Sequence, residues 1–444
     1  MPVVYLLLCV VLIVVLTARF KIHPFVVLLV VALLYGFLAG MPVDLIIKSV
    51  NEGFGGTLGG IGLIIILGVI IGAFLENTGG AYVIAEKILR FVGKKNVAPA
   101  MGSMGYVISI PVFADSGFLL LSPLNRSLCK KAGITLSGAA IALGLGLTVS
   151  HTMIPPTPGP IAAAGILGAD LGQVLLVGLP VTLVALTVSI LFAMFYVSRI
   201  YIDPATVIGE EPPQQRNDTA PSVAKSVLPI FVPIVLIVAK SLVKLAGWED
   251  NSFAKDAIMF LGEPFVALLV GVFLALLLPK KLECSMLSMD GWIGKALTGA
   301  ASIILITGAG GIFGKVLQNS GIAEVLGSTV AQWNLGIWLP FLIAAAIKTA
   351  QGSSTVALIT TASIVAPLME VLGFTGGFES ALVVVAIGAG SAVVSHANDS
   401  FFWVVTQFSG MDVRTGYRTH TLGTLVMGVS AALTVYVLHL FIAA

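Results

Sequence analysis

The stretch VSHTMIPPTPGP, residues 149–160, interrupts an apolar segment with four prolines, Pro155, Pro156, Pro158 and Pro160. Proline has no backbone N–H and its ring blocks the preceding turn, so a helix that reaches this stretch must end there. In the second half of the chain the letters VSH return in VVSHANDSFFW, residues 393–403, where another apolar segment turns polar. We therefore predict two broken helices, one in each half.

The composition places these helices in a lipid bilayer. Of the 444 residues, 58% are hydrophobic and only 10% are charged, whereas soluble proteins carry about 25% charged residues. Apolar runs of roughly 17–25 residues, long enough to span a membrane, recur along the whole chain. We predict an all-α polytopic membrane protein with about ten crossings, and the net charge of +2 gives no reason to expect nucleic acid as a partner.

The cysteines indicate neither a metal centre nor redox chemistry. Cys9, Cys129 and Cys284 are scattered and have no metal-ligand or disulfide-exchange spacing. We expect them to fill apolar space, and we expect no cofactor and no metal.

The two halves of the chain repeat each other. PFVVLLV (24–30) returns as PFVALLV (264–270), and GVIIGAFLENTGGA (68–81) returns as GGIFGKVLQNSGIA (310–323). Together with the repeated VSH, these matches keep their order and nearly the same offset. An internal duplication is therefore predicted.

The basic residues predict that the repeats have opposite orientations. Lys and Arg accumulate on the cytoplasmic side of membrane proteins. Most of the 23 Lys and Arg residues fall inside when both chain termini lie outside and a Pro- and charge-rich linker, 199–225, lies in the cytoplasm. This map makes two segments enter and leave the membrane on one side, as re-entrant hairpins. Inverted repeats with broken helices are typical of secondary transporters.

The predicted organisation follows from this map. It comprises an N-terminal transmembrane helix (1–23), a first inverted repeat (24–198) with hairpin 97–129 and broken helix 136–170, the linker 199–225, a connecting helix and outside loop (226–260), and a second inverted repeat (261–444) with hairpin 337–372 and broken helix 380–410.

Each half contributes one polar hairpin tip and one helix break to the candidate binding site. Non-helical backbone at membrane depth is tolerated only where it lines a cavity or is buried in protein. Half-helices that begin there direct N–H groups at whatever lies between them, which suits a small carboxylate. The candidate substrate-binding residues are Asp115, Ser116 and Gly117 (first tip), Thr157, Pro158 and Gly159 (first break), Lys348, Gln351, Gly352, Ser353, Ser354 and Thr355 (second tip), and His396, Asn398, Asp399 and Ser400 (second break). The alternative is that the breaks are structural kinks and that His151, with its apolar neighbours, is a core histidine.

Three stretches resemble the signatures of the gluconate permease family of gluconate–proton symporters. They are PPTPGPIAAAGILGADLG (155–172), AQGSSTVALITTASIVAPL (350–368) and SHANDSFFWVV (395–405). The resemblance implies membership of the larger ion-transporter superfamily, and hence a homodimer with scaffold and mobile transport domains. It also implies elevator-type alternating access and a sugar-acid or related hydroxy-acid substrate. Family members with gluconate activity resemble this chain less at the first tip, where Asp115-Ser116-Gly117 replaces a glutamate followed by a small residue and glycine.

Several functions stay open at this point. Gluconate, glycerate and D-serine all carry a carboxylate beside a hydroxyl, and coupling to sodium instead of protons is an alternative. A cation/proton antiporter or channel on the same fold is a different class. The least favoured class is an intramembrane hydrolase, with Ser395 or Ser400 as nucleophile and His396 as base.

Ionisable residues inside the membrane are candidates for proton coupling. Asp115, His396 and Asp399 are the candidates here, and we expect Asp115 to take up the proton, because its protonation removes a negative charge that repels an anionic substrate. Lys348 is expected to lie within reach of the substrate carboxylate. The alternative is that Asp115 and Lys348 only form a structural ion pair or only face polar solvent.

Overall fold

The computed structural model of the protein describes residues 2–93, 96–205, 220–247, 252–322 and 335–442. Within these ranges, all regular secondary structure is helical. A helix satisfies its own backbone hydrogen bonds, which a bilayer requires. Six helical segments among the described residues, some of them made of consecutive helices, are long and apolar enough to span a membrane, and a bent pair, Phe253–Leu261 with Pro264–Ala275, adds a seventh if it counts as one span. The chain is an all-α, multi-pass membrane protein.

The helices of the first half are α1 (Pro2–Ala18), α2 (Pro24–Leu38), α3 (Val43–Asn77), α4 (Gly80–Val92), α5 (Val97–Ile108), α6 (Ala114–Ala132), α7 (Leu136–Met153), α8 (Pro158–Leu167) and α9 (Leu171–Phe195), followed by a 3₁₀ turn at Val197–Arg199. Residues 206–219 of the predicted linker lie outside the described residues.

The helices of the second half are α10 (Val223–Leu245), α11 (Phe253–Leu261), α12 (Pro264–Ala275), α13 (Cys284–Leu287), α14 (Trp292–Asn319), α15 (Trp338–Gln351), α16 (Ser354–Val365), a 3₁₀ turn at Ala366–Leu368, α17 (Gly377–Gly390), α18 (Ser400–Phe408), α19 (Val413–Gly416), a π-helical turn at Tyr417–Thr421, and α20 (Leu422–Ile442).

The helix breaks follow from local chemistry. α7 ends at Met153, just before the prolines, and Ile154 adopts an extended conformation. α8 then begins at Pro158, the position where a helix tolerates proline because the first N–H has no partner anyway. In the second half, α18 begins after Asp399, whose side chain accepts a hydrogen bond from the backbone N–H of Phe401. Each break therefore starts a new half-helix inside the protein.

The segment between α15 and α16 is a very short turn. α15 ends at Gln351, and Gly352 adopts φ +90°, in the left-handed region that favours glycine. The Ser353 side chain accepts a hydrogen bond from the Val356 N–H and so caps α16. In the first half, α5 and α6 are separated by residues 109–113. Both turns present the N-terminus of their second helix.

The packing brings the turns and the breaks together. α5 and α6 pack on α7, α15 packs on α17, and α16 packs on α8. The approach of α5 to α7 depends on Gly105, where a Cβ atom would lie 2.6 Å from the carbonyl oxygen of Leu143. Small residues permit such close approach of membrane helices. In the window of α7 and α8 that resembles a membrane span, 94% of the residues are buried, so this broken helix lies at the centre of the protein.

Candidate functional site

The second hairpin tip, residues Gln351–Ser353, is held by its own side chains. Gln351 accepts a hydrogen bond from the Ser353 N–H through Oε1 (3.1 Å), and its Nε2 donates to the Ser353 carbonyl (2.5 Å). These two bonds fix the turn around Gly352. The N-terminus of α16 is therefore presented in one orientation.

The second break contacts this tip directly. The Thr349 carbonyl interacts with His396 Nε2 (2.8 Å) and accepts a hydrogen bond from Asn398 Nδ2 (2.9 Å). Lys348 Nζ lies 2.6 Å from Asp399 Oδ2 and 2.5 Å from the Gly352 carbonyl oxygen. Both Lys348 and Asp399 are buried. This ion pair joins residues that are 51 positions apart, and it replaces the predicted alternative of a pair between Lys348 and Asp115.

A cavity of about 280 Å³ lies between the second tip, the second break, α6 and α7. Its lining is Ala114, Asp115, Thr148, His151, Thr152, Lys348, Gln351, Gly352, Ser353, Ser354, Thr355, Ala392, Ser395, Asn398, Asp399, Ser400 and Phe401. This volume is close to the lower end of the range of about 300–1,000 Å³ found for ligand pockets. It suits a small, polar organic molecule.

Three helix N-termini reach this cavity. Ala114 and Asp115 begin α6, Ser354 and Thr355 begin α16, and Ser400 and Phe401 begin α18. The first N–H groups of a helix have no partner within the helix, and the helix dipole adds positive charge there. The converging termini and the Lys348 ammonium can therefore bind an anion. The hydroxyl and amide groups of the lining provide donors and acceptors for neutral polar groups.

The sequence-predicted site residues divide into two groups. The cavity is lined by Asp115, Lys348, Gln351, Gly352, Ser353, Ser354, Thr355, Asn398, Asp399 and Ser400. The remaining six, which do not line it, are Ser116, Gly117, Thr157, Pro158, Gly159 and His396.

The residues of the first break pack against neighbouring helices and do not line the cavity. Thr157 and Pro158 line a separate space of only about 10 Å³, and Thr157 Oγ1 donates to the Ile154 carbonyl (2.5 Å). A Cβ atom on Gly159 would lie 2.6 Å from Leu358 Cδ1, so this glycine allows α8 to approach α16. Gly117 packs in the same way against Leu147. These positions act in packing.

Sequence reasoning missed several lining residues. His151, for which a core position was the alternative given above, lines the cavity, and its Nδ1 is buried with no partner among the described residues. Thr148 and Thr152 lie on the same stretch of α7, and Ser395 lies in the second break. The repeated letters VSH were the available signal, because His151 lies in the first copy (149–151) and Ser395 lies in the second (394–396). His396 meets the Thr349 carbonyl instead of a serine, so the part of the chain that the structure describes provides no Ser–His396 pair for a hydrolase.

Comparison with known proteins identifies the family. Residues 1–441 match the family described as GntP family permease. A gluconate permease of Pseudomonas aeruginosa is 34% identical over 433 aligned positions, with 96% of this chain and 95% of that protein covered. The high-affinity gluconate transporter of Escherichia coli strain K12 is 33% identical over 417 positions, with 93% of each chain covered.

A solved structure shares the fold. The crystal structure of the YdaH transporter from Alcanivorax borkumensis superposes with a TM-score of 0.70, at 12% sequence identity, and covers 95% of this chain and 99% of that chain. The fold is therefore that of a helical transporter. The relatives are permeases and transporters, not enzymes, and the family predicted from the three sequence stretches is confirmed. This chain belongs to the GntP family of permeases.

Proposed function

We propose that this protein imports gluconate, or a related sugar acid or hydroxy acid, across the cytoplasmic membrane by proton symport with alternating access. The names of the relatives support a gluconate-like substrate. Glycerate and D-serine remain the alternative substrates, because they also place a carboxylate beside a hydroxyl.

The main observation that supports this proposal is the cavity of about 280 Å³. Gluconate has one carboxylate and a row of hydroxyl groups. Its carboxylate would lie near Lys348 and the N-terminus of α16, where the charge and the helix dipole favour an anion. Its hydroxyl groups would meet the side chains of Gln351, Thr355 and Ser400, which line the same space.

The charges of the cavity support proton coupling. Two carboxylates, Asp115 and Asp399, and one ammonium, Lys348, line it. With His151 neutral, the lining carries one negative charge, which opposes an anionic substrate. A proton on either carboxylate removes that charge and favours substrate binding. Proton and substrate would then bind together, as symport requires.

The architecture of the proposal is an inverted-repeat dimer. We place the repeats at 24–198 and 261–444, with the two hairpins, the two broken helices and about ten crossings predicted from the sequence. Both termini lie outside and the linker 199–225 lies inside. Alternating access then moves the cavity between the two sides of the membrane.

Uptake into proteoliposomes tests the transport function. We expect radiolabelled gluconate to accumulate when the lumen is alkaline, and we expect a protonophore to abolish this accumulation. A sodium gradient without a pH gradient should have no effect. Accumulation that requires sodium would contradict proton coupling, and a proton leak that no member of a gluconate, glycerate and D-serine panel stimulates would favour a channel or antiporter.

The native cysteines test the orientation. Cys9 and Cys129 are buried, whereas Cys284 is exposed and follows the basic residues Lys280 and Lys281, which we place inside. A membrane-impermeant maleimide should label the protein in inside-out vesicles and not in intact cells. Cys284→Ser should lose this labelling. Labelling of the native protein in intact cells would reverse the proposed orientation.

A further inference from the structure

A buried chain of hydrogen bonds runs from the cavity into the protein. Ser395 Oγ lies 2.5 Å from Asp399 Oδ2, the oxygen that also meets Lys348 Nζ, and His420 Nε2 lies 3.2 Å from Ser395 Oγ. His420 is fully buried and lies on the π-helical turn Tyr417–Thr421. No feature of the sequence pointed to His420.

The donors and acceptors in this chain can be assigned from chemistry. An ionised carboxylate only accepts hydrogen bonds, so the Ser395 hydroxyl donates to Asp399. The Ser395 oxygen then accepts from His420, which assigns the proton of a neutral His420 to Nε2. His420 Nδ1 is buried and has no hydrogen-bond partner among the described residues. A charged His420 would bury an unpaired N–H, so the neutral form fits this site.

The backbone holds Ser395 in place for this role. Its N–H donates to Thr424 Oγ1 (3.1 Å), and its carbonyl accepts from Thr421 Oγ1 (2.5 Å). The preceding residue, Val394, has φ +51°, which is a strained conformation for a β-branched side chain. Strain and π-helical turns concentrate at functional sites. The second break is thus built around the position of Ser395.

Resting on the proposed symport of an anionic substrate, the geometry points to Asp399 as the carrier of the coupled proton, with Ser395 and His420 as the residues that position it. Substrate and Asp399 compete for the same cation, since Lys348 pairs with Asp399 and also lines the cavity. When the substrate carboxylate binds Lys348, the proton neutralises the released Asp399.

Protonation changes the direction of one hydrogen bond. The new O–H of Asp399 donates to Ser395 Oγ, which continues to accept from His420 Nε2–H. The Ser395 hydroxyl hydrogen is then free to turn into the cavity, which Ser395 lines. One proton therefore releases two donors towards the substrate, the Lys348 ammonium and the Ser395 hydroxyl.

The groups around Asp399 are Lys348 from α15, Asp115 from α6, His151 from α7 and His420 from the π-helical turn. Arg414 and Arg418, on the segment before α20, are exposed. Asp115 is an exposed residue with no ion-pair partner among the described residues. Asp399 is the carboxylate that pairs with Lys348, and Lys348 also lines the cavity. Protonation of Asp399 therefore allows Lys348 to exchange this carboxylate for the carboxylate of the substrate.

The test measures gluconate affinity of the purified protein by calorimetry from about pH 5 to about pH 9. If one proton binds with each substrate, the wild-type affinity falls about tenfold per pH unit on the alkaline side. Asp399→Asn resembles the protonated form, so its affinity should not depend on pH. It should also retain gluconate exchange between two equal pools and lose proton-driven accumulation. The affinity of Asp115→Asn should fall with pH as steeply as that of the wild type.

Ser395 and His420 are tested through the pH at which affinity begins to fall. Ser395→Ala removes a donor that favours the ionised Asp399, so Asp399 keeps its proton to higher pH and binding persists there. Ser395→Thr retains the hydroxyl and should behave as the wild type. His420→Phe should move the pH at which gluconate affinity begins to fall in the same direction as Ser395→Ala. The matched control is His439→Phe on α20. The Nδ1 atom of His439 is also buried without a hydrogen-bond partner in the described ranges, and His439 does not line the cavity.

The outcomes separate this inference from the proposed function. If the affinity of the wild-type protein for gluconate did not change with pH, the proposed proton symport itself would be contradicted. If the affinity of Asp399→Asn for gluconate still fell with pH as in the wild type, the inference would be overturned. If the affinity of Asp115→Asn did not change with pH, the proton would be assigned to Asp115. Should Asp399→Asn fail to fold, an unchanged profile in Ser395→Ala would also overturn it.

Discussion

Gly352→Ala is expected to abolish gluconate uptake while leaving expression intact. Gly352 has φ +90°, and a Cβ atom there would come within 2.6 Å of the Asn398 carbonyl carbon. The methyl group therefore cannot fit unless the second tip moves away from the second break. That movement separates Lys348 from Asp399 and removes the contacts of Asn398 and His396 with the Thr349 carbonyl.

A matched glycine separates this contact from backbone strain. Gly373 has φ +81°, and a Cβ atom there would meet nothing within 4 Å. Both alanine variants place an L-residue in the left-handed region, at a cost of about 1–2 kcal/mol, but only Gly352→Ala collides with the break. Uptake should therefore persist in Gly373→Ala. Wild-type uptake by Gly352→Ala would show that close contact between tip and break is not needed for transport.

The sequence predicted the parts of the site that depend on local chemistry. The prolines at 155–160 dictate a helix break wherever the helix lies, because they lack N–H donors. Gly352 within a polar run predicts a turn, and that turn presents six of the predicted residues to the cavity. These features need no knowledge of the packing.

The sequence could not predict the partners of the buried charges. Lys348 and Asp399 lie on different elements, and no periodic pattern relates residues that meet only when α15 packs beside the second break. The contact of His420 with Ser395 could not be predicted for the same reason, because His420 lies on a π-helical turn that helical periodicity does not indicate. The first break was the opposite case. Its prolines predicted the break correctly, but Gly159 serves the packing of α8 on α16 and does not line the cavity.

Lys348→Met is expected to abolish uptake and also to destabilise the protein. Lys348 is only 1% exposed, and its removal leaves the Asp399 carboxylate buried without a cation. Breaking a buried ion pair on one side costs about 3–5 kcal/mol. The thermal unfolding temperature of the detergent-solubilised variant should therefore fall. Uptake should be lost because, in the proposed function, Lys348 is the cation that meets the substrate carboxylate.

The double variant Lys348→Met/Asp399→Asn separates these two effects. It leaves neither member of the buried ion pair charged, so much of the lost thermal stability should return, while uptake and exchange stay absent because no ammonium is left in the cavity to bind the carboxylate. Lys240 provides the matched control, because it is a second buried lysine that pairs with a carboxylate, Glu263, and does not line the cavity. Lys240→Met should lower stability and keep uptake per folded molecule. If the double variant exchanged gluconate at the wild-type rate, Lys348 would be a structural partner of Asp399 alone, and the N-termini of α6, α16 and α18 would have to bind the anion without it.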